Sequence, residues 1–349
     1  MLGFFPGVKL LVYSDLQADV SHEMCFNAPD VHLQIHRVRT FYRVLKEVFD
    51  AYRCDGLVDL GDTFDDRTSL HYRALDAVLE GLSLFPASDL NIKLQGNHEQ
   101  HLRDCSLDLR RLFEPRFTVV SQAEVIKLTE DTHFFCAAYP ASDEALHGWL
   151  HAEAHRYREV PVRILLGHFQ VVGSQMTSGS AVTGIPAKAL RPFTTVLLGH
   201  VHRPQTIGSN AHYVGSPFQQ NFGEKNEAKR VAILDTESGA VDWQPLEGFP
   251  EYRVCDFQEF VRLARPEDEH RYQVYVRSAE EAEQYYAHPL MNRAEAIYDY
   301  QIKPDTKTES LTALTLEAVM QRYATLHPAE SFATSDALLD YGLSIAQSD

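Results

Sequence analysis

Cysteines are few in this 349-residue sequence, and their spacing excludes a cysteine-based scaffold. The five cysteines lie far apart and none forms a Cys-x-x-Cys pair, which argues against a zinc ribbon or a disulfide framework. Free thiols are typical of a reducing compartment, and we therefore expect a cytoplasmic protein.

Long apolar runs are also absent. No stretch offers the roughly 20 consecutive apolar residues that a membrane-spanning helix needs, so no membrane association is expected. The apolar start of the chain lacks the basic segment of a signal peptide and is interrupted at Asp15, which favours a first β-strand.

Basic residues are in short supply. The chain has 32 Lys and Arg residues against 49 Asp and Glu residues, which gives a net charge of −17. This charge argues against a protein that binds nucleic acid unaided, because neutralisation of phosphates supplies most non-specific affinity. A DNA-acting protein of this composition would need metal ions, a local basic strip or a partner that holds the DNA.

What the sequence does contain is a recurring unit, an apolar strand that ends in a short polar tip. Helical periodicity separates several of these predicted strands, which lie near residues 8–14, 56–60, 91–95, 162–166 and 195–198. The alternation predicts parallel strands whose carboxyl ends share one edge of a sheet. The five tips read Asp15-Leu16-Gln17, Gly61-Asp62-Thr63-Phe64-Asp65, Gly96-Asn97-His98-Glu99, Gly167-His168 and Gly199-His200-Val201-His202.

The spacing of apolar residues also predicts three helices between the tips. One covers residues 31–52, and another passes through Leu107 and Leu112. The helix between them is expected to be capped by Thr68 or Ser69.

Changes in sequence texture divide the chain into three predicted domains. The first, 1–248, contains three short strands that are expected to form a meander, near 118–121, 125–128 and 133–138. A small α+β unit follows at 249–303. Residues 304–349 are expected to form a linker and a helix pair, and two short helices cannot bury their apolar faces without a partner surface.

The polar tips supply carboxylate, amide and imidazole groups but no thiolate, a ligand set that suits manganese, magnesium, iron or zinc. One such residue at a strand end is usually a cap or a loop hydrogen bond, but several on neighbouring parallel strands converge. We predict a site for two divalent cations, bridged by Asp62 because it lies on a central strand. The other predicted ligands are Asn97, His168 and His200 for one cation, and Asp15 and His202 for the other.

Two further residues are predicted to take part in the chemistry. Paired cations would activate a water molecule and offset the charge of a phosphate group. His98 follows the predicted ligand Asn97 and is free to protonate the leaving oxygen. Asp65, three residues beyond Asp62, is expected to orient His98.

In this order the motifs DxQ, GDxxD, GNHE, GH and GHxH resemble those of the calcineurin-like metallophosphoesterase superfamily, over roughly residues 8–245. The segment from Tyr213 to Glu224 is similar to the corresponding part of SbcD-type DNA-repair nuclease subunits, and the compact length is similar to phage recombination endonuclease subunits. The resemblance implies an α/β fold, namely a four-layer metallophosphoesterase sandwich with a cap domain and a C-terminal helix pair.

The resemblance also implies a function. Its relatives act on DNA ends as exo- and endonuclease subunits in double-strand-break repair or recombination, with Mn²⁺ as the expected metal and Mg²⁺ as the alternative. They work as homodimers bound to an SMC-like coiled-coil ATPase of the SbcC type, here expected through the C-terminal helices. The expected location is the cytoplasm of a bacterium or of a phage-infected cell. An ATPase that binds DNA would explain how a protein of this acidic charge acts on DNA.

One residue departs from the family pattern, because Gln17 stands where the first motif has a histidine. The Gln17 carbonyl oxygen could bind manganese or magnesium more weakly than imidazole does. Alternatively, Gln17 does not touch the metal, or the site is impaired and the protein is a silent scaffold that docks an ATPase. A stand-alone phosphodiesterase or phosphatase for small phosphoesters is the remaining alternative.

Overall fold

The computed structural model describes residues 7–19, 31–102, 105–106, 110–114, 116–176, 182–266 and 270–299. The strands are β1 (Lys9–Tyr13), β2 (Gly56–Asp59), β3 (Ile92–Leu94), β4 (Gln100–Leu102), β5 (Cys105–Ser106), β6 (Thr118–Val120), β7 (Glu124–Lys127), β8 (Thr132–Ala137), β9 (Val162–His168), β10 (Thr195–Gly199), β11 (Gln205–Ile207), β12 (Ala211–Tyr213), β13 (Lys229–Asp235), β14 (Val241–Leu246), β15 (Tyr252–Asp256), β16 (Arg271–Val276) and β17 (Ala294–Tyr298). The helices are α1 (Val31–Tyr52), α2 (Tyr72–Leu82), α3 (Arg110–Phe113), α4 (Asp143–Arg156), α5 (Phe257–Leu263) and α6 (Ala279–Ala287).

Two six-stranded sheets form the body of the protein. The first has the strand order β14-β13-β1-β2-β3-β6, and its last four strands run parallel. The second has the order β11-β12-β10-β9-β8-β7, with β12, β10, β9 and β8 parallel. Antiparallel strands lie at one edge of the first sheet and at both edges of the second, while the parallel strands that carry the polar tips lie inside the sheets.

The alternation of side chains along β1 shows how the layers pack. Leu11 and Tyr13 face one way, into a core shared with α1 and α2, whereas Leu10 and Val12 face the second sheet. Phe135 on the second sheet packs outward with residues of α4. The predicted four-layer α/β sandwich is confirmed, with a helical layer outside each sheet.

A third, three-stranded parallel sheet forms the predicted small α+β unit. Its strand order is β15-β16-β17, and α5 and α6 connect the strands. Tyr252 joins this sheet to the main body, because its hydroxyl donates to the Gln220 carbonyl at 2.7 Å and its backbone N–H donates to Gln219 Oε1 at 2.8 Å. The three-domain division stays a prediction, and the predicted helix pair within 304–349 lies outside the described residues.

Three local predictions need correction. The second helix begins after His71, whose ring caps it, while Thr68 and Ser69 donate to the Asp66 carboxylate in the preceding loop. Of the helix predicted through Leu107 and Leu112, the described residues contain the short α3, a two-stranded hairpin comes before it in the chain, and Leu107 lies outside the described residues. The predicted meander is wrong, because β6 pairs with β3 in the first sheet whereas β7 and β8 belong to the second.

The sequence predicts no membrane-spanning helix. Among the described residues, each helix is too short or too polar to cross a bilayer.

Candidate metal centre

All the predicted ligands lie at one end of the sandwich, where parallel strands of both sheets finish. Asp15 and Gln17 follow β1, Asp62 and Asp65 follow β2, and Asn97 and His98 follow β3. From the second sheet, His168 ends β9, and His200 and His202 follow β10. The sheets therefore bring five separate stretches of sequence to one place, as the sequence pattern predicted.

The backbone at this edge is held in an uncommon conformation. Positive φ occurs at six non-glycine residues of the described segments, and four of them are predicted ligands: Asp15 (53°), Gln17 (46°), Asp62 (54°) and His200 (83°). Such a conformation costs about 1–3 kcal/mol per residue and persists only where the surroundings enforce it. Its concentration here is typical of a functional site.

Asp62 is the centre of the closest group of ligand atoms. His168 Nε2 lies 3.2 Å from Asp62 Oδ2 and 3.2 Å from the Asn97 side-chain amide, and His200 Nδ1 lies 2.6 Å from the same amide atom. Ligand atoms of Asp62, His168 and His200 all lie within 4.8 Å of one another. Gly96 permits this approach, since a Cβ at that position would collide with the Asp62 carboxylate.

The chemistry of this group fits a cation. His168 Nδ1 lies 2.8 Å from the Leu60 carbonyl, which can only accept, so Nδ1 carries a proton. In the neutral ring, the Nε2 lone pair then faces the Asp62 carboxylate. Burial lowers the pKa of His168, but the Asp62 carboxylate outweighs burial and the pKa rises to about 9. The Asp62 carboxylate therefore favours a positive charge at this position, which a proton or a metal ion supplies.

His200 is suited to act as a neutral ligand. Burial, helped by the charge of His168, lowers the pKa of His200 to about 3, so its ring keeps a lone pair at neutral pH. Its Nε2 lies 2.9 Å from the Gln170 side-chain amide, and the Tyr139 ring packs 5.4 Å away, centroid to centroid. These contacts fix the ring plane beside Asn97.

The ligands predicted for the other cation are arranged around Asp15. Its buried carboxylate accepts the His200 backbone N–H at 3.0 Å, and its carbonyl accepts the Gln220 amide at 2.9 Å. Burial raises the pKa of Asp15, although the nearby His168 and His202 act in the opposite direction. His202 Nδ1 lies 2.9 Å from Glu224 Oε1, an arrangement that leaves Nε2 available as a ligand.

Gln17 lies at the same edge, almost fully buried. Its backbone N–H donates to the Asp62 carbonyl at 2.9 Å, so the two predicted ligand loops are joined at this point. The position therefore belongs to the site, while the role of the amide side chain stays a prediction.

His98 lies between Asp62 and Asp65. Its backbone N–H donates to Asp62 Oδ1 at 2.8 Å, and its Nε2 lies 4.0 Å from Asp62 Oδ2. On the other side of the ring, Nδ1 donates to the Asp65 backbone carbonyl, with the Asp65 carboxylate 3.5 Å away. Asp65 thus contacts His98 through two groups, of which the carbonyl is the closer.

A buried network beneath the site holds its loops together. Glu99 accepts the backbone N–H groups of Asp62 at 3.0 Å, Gly96 at 2.7 Å and Thr63 at 2.7 Å. Lys93 lies 3.0 Å from Asp59 and 3.5 Å from Glu99, with all three side chains buried. Burial lowers the pKa of Lys93, but the two carboxylates outweigh it and the net shift is upward.

Replacement of Lys93 by methionine is expected to lower the free energy of unfolding by about 3–5 kcal/mol, because it leaves buried carboxylates without their counter-charge. Methionine keeps most of the apolar stem, so the change reports chiefly on charge. Chemical denaturation measures the effect, with Lys46→Met as the control because Lys46 pairs with Asp50 on an exposed helix surface. Equal losses in the two variants would contradict the prediction.

The sequence analysis missed Glu224, Glu99 and Lys93 as supporting residues. Glu224 also accepts from Lys229 at 2.7 Å and from Ser216 at 3.1 Å, which fixes the carboxylate beside His202. Burial raises the pKa of Glu224, but the His202 hydrogen bond and Lys229 prevail and the pKa falls to about 2. Glu99 and Glu224 lie within quoted motifs, which was the only signal available, and Lys93 lies in a predicted strand.

A comparison with protein families now gives these residues a context. The family model for calcineurin-like phosphoesterases matches residues 8–204, which is more than half of the chain. Among curated proteins, the SbcD subunit of the nuclease SbcCD from Bacillus subtilis (strain 168) is 38% identical over 104 residues, covering 26% of this chain and 26% of that protein. The Escherichia coli (strain K12) protein of the same name is 27% identical over 138 residues, covering 37% and 33%. These matches thus span about a quarter to a third of the relatives.

Solved structures show more distant likeness. An archaeal phosphodiesterase is 14% identical, with a TM-score of 0.35, and the match covers 68% of this chain and 100% of that one. A dimetal phosphatase from Danio rerio is 12% identical, with a TM-score of 0.41 and coverage of 70% and 100%. The match to the family model is therefore the finding that assigns the chain. It belongs to the calcineurin-like phosphoesterase family, whose members are phosphoester hydrolases that use divalent metal ions.

Proposed function

We propose that this protein is a two-metal DNA exo- and endonuclease subunit of a double-strand-break repair or recombination complex, with Mn²⁺ as its preferred metal. The proposal is carried by one observation: Asn97, His168 and His200 converge on Asp62, with His98 beside them. The names of the curated relatives favour a nuclease over other phosphoester hydrolases.

The residues divide into three tasks. Asp62 would hold both cations, Asn97, His168 and His200 would hold one of them, and Asp15 and His202, with Gln17, would hold the other. When bound, the two cations supply an activated water and neutralise the charge of the scissile phosphate.

His98 then donates a proton to the leaving oxygen, because its ring is held at the edge of the ligand cluster and is not needed within it. Asp65 holds the ring from behind through its carbonyl and carboxylate.

The acidic composition explains why a partner is part of this proposal. A chain of charge −17 attracts DNA weakly without help. We place the protein as a homodimer in complex with an SMC-like coiled-coil ATPase, bound through residues 304–349. The ATPase would then supply the affinity for DNA.

One assay tests substrate class and partnership together. The protein is incubated with Mn²⁺ or Mg²⁺ and with linear duplex DNA, single-stranded DNA or methyl p-nitrophenyl phosphate, in the presence and absence of the ATPase. Cleavage of DNA that the ATPase stimulates is the expected result. Turnover of the small diester without cleavage of any DNA would indicate a small-molecule phosphodiesterase instead, and deletion of 309–349 without loss of ATPase binding would refute the docking role.

Gln17→His is expected to lower the dissociation constant for Mn²⁺ by about 10-fold, because imidazole nitrogen is a stronger ligand than an amide oxygen. Histidine also tolerates the positive φ at this position. Calorimetric titration with Mn²⁺ measures the change. Gln17→Ala is the companion variant: weaker binding identifies Gln17 as a ligand, whereas unchanged binding shows that Asp15, Asp62 and His202 suffice.

A further inference from the structure

Residues 219–224 form a segment that connects both sheets to the small α+β unit. The segment follows β12 in the chain and precedes β13, and Gln219, Gln220 and Glu224 are almost fully buried within it. None of these three residues is a predicted metal ligand. Because buried polar groups need hydrogen-bond partners, the partners of this segment show which parts of the protein it holds in place.

Two residues of the segment contact ligands that are assigned to the same cation. Gln220 Nε2 donates to the Asp15 backbone carbonyl at 2.9 Å. Glu224 Oε1 lies 2.9 Å from His202 Nδ1. The Gln220 backbone N–H also donates to Glu224 Oε2 at 3.2 Å, so the two contacts belong to one connected group. Asp15 follows a strand of the first sheet and His202 a strand of the second, and the segment therefore supports this cation site from both sheets.

The side chains assigned to the other cation alone are held by different groups. His168 Nδ1 lies 2.8 Å from the Leu60 carbonyl, and His200 Nε2 lies 2.9 Å from the Gln170 side-chain amide. The His200 backbone N–H donates to the Asp15 carboxylate at 3.0 Å, but its ring has this separate support. Among the described residues, no hydrogen bond joins the 219–224 segment to these side chains. The segment can therefore act on one cation site without the other.

Tyr252, the first residue of β15, holds the segment from the side of the small α+β unit. Its hydroxyl donates to the Gln220 carbonyl at 2.7 Å, and its backbone N–H donates to Gln219 Oε1 at 2.8 Å. Burial raises the pKa of Tyr252 to about 12, so the hydroxyl keeps its proton and stays a donor at neutral pH. The small unit thus contacts the same residue, Gln220, whose side chain holds the Asp15 carbonyl.

We propose that Tyr252 and Gln220 are positioning residues for one of the two cations, the one assigned to Asp15 and His202. The docking of the small α+β unit on the 219–224 segment then sets how tightly this cation is bound, while the other cation is bound independently. Displacement of the small unit would release one cation and stop hydrolysis with the other still in place. The inference rests on the proposed two-cation function and adds the regulation of that site.

Calorimetric titration with Mn²⁺ tests this selectivity, with two bound ions expected for the wild type. Gln220→Met is close in size but cannot donate, and it is expected to raise the dissociation constant of one ion by about 10-fold. Tyr252→Phe, which removes one neutral hydrogen bond, is expected to raise the same constant by about 3- to 10-fold. The segment stays anchored in this variant, because Arg37 of α1 also donates to the Gln219 carbonyl. The second ion should bind as in the wild type.

Tyr285→Phe is the matched control for Tyr252→Phe. Tyr285 is also buried in the small α+β unit, and its hydroxyl donates to a backbone carbonyl, that of Ala294, at 2.6 Å. A purely structural role of the Tyr252 hydroxyl would give the two tyrosine variants the same loss of thermal stability and the same Mn²⁺ binding. Equal weakening of both ions, or unchanged binding in both Gln220→Met and Tyr252→Phe, would overturn the inference.

Hydrogen exchange measured by mass spectrometry tests the same link without metal. The backbone N–H groups of Asp15 and Gln17 donate to carbonyls of the neighbouring loop, and a loosened Asp15 loop exposes them more often. We expect faster exchange at residues 15–18 in Tyr252→Phe and Gln220→Met, with no change at residues 96–99. A wild-type protein that binds no Mn²⁺ would count against the proposed function, and hydrogen exchange then decides on the link alone. Unchanged exchange at 15–18 in both variants would contradict it.

Discussion

Asp62→Asn is expected to lower kcat/KM for a phosphodiester by at least about 1,000-fold, since loss of a group that merely orients a metal ligand already costs about 10- to 100-fold. Asp62 is the residue on which the ligand atoms of both sheets converge. Asparagine is close in size and keeps an oxygen for the His98 backbone N–H, so the loop is retained. The change removes one negative charge from the position that the two cations would share.

Hydrolysis of methyl p-nitrophenyl phosphate and calorimetric titration with Mn²⁺ measure the two consequences of this substitution. We expect both turnover and tight metal binding to be lost, while the thermal unfolding temperature stays within a few degrees of the wild type. Asp76→Asn is the matched control, because Asp76 lies on the exposed face of α2 and pairs only with Arg39 among the ion pairs of the described residues. An Asp62→Asn protein that retains activity would exclude a bridging role.

The convergence on Asp62 could be predicted because it depends on simple rules. Apolar runs that end in polar tips marked β1, β2, β3, β9 and β10, and parallel strands place their carboxyl ends at the same edge. The long helix α1 could also be predicted, since its apolar residues recur at helical spacing throughout. Both predictions rest on local patterns repeated over many residues.

The pairing predicted for β6, β7 and β8 was wrong. The local sequence pattern indicated that these segments are strands, but it did not indicate which strands they pair with. These strands have three to six residues, and sequence proximity favours a meander. In the structure, β6 extends the first sheet beside β3, and the chain then crosses to the second sheet. The choice depends on which sheet edge has room, which is a property of the assembled fold.

The supporting residues of the site were hidden for a related reason. Glu99 acts on backbone groups 36 and 37 residues away, and Glu224 acts on a histidine 22 residues away. Both glutamates lie within quoted motifs, but the motifs do not indicate which groups the two carboxylates contact. Their roles become visible only when burial and hydrogen bonds are known, because a buried carboxylate must find partners.

His98→Gln is expected to lower kcat by about 100- to 10,000-fold on substrates with an alkoxide leaving group, the range of a single general acid. DNA is such a substrate, because its leaving oxygen belongs to a sugar and must gain a proton. With p-nitrophenolate, a stable anion, the same variant should lose far less activity. His98 belongs to neither predicted ligand set, so calorimetric Mn²⁺ affinity should stay unchanged.

Asp65→Asn separates the acid from the group that orients it. Because the Asp65 backbone carbonyl already accepts from His98 Nδ1, the ring keeps its closest partner when the carboxylate 3.5 Å away is neutralised. The kcat of this variant on DNA should therefore fall by about 10-fold at most, well below the loss expected of the acid itself.

Equal losses for His98→Gln on DNA and on the p-nitrophenyl diester would mean that His98 positions the phosphate and does not protonate the leaving group.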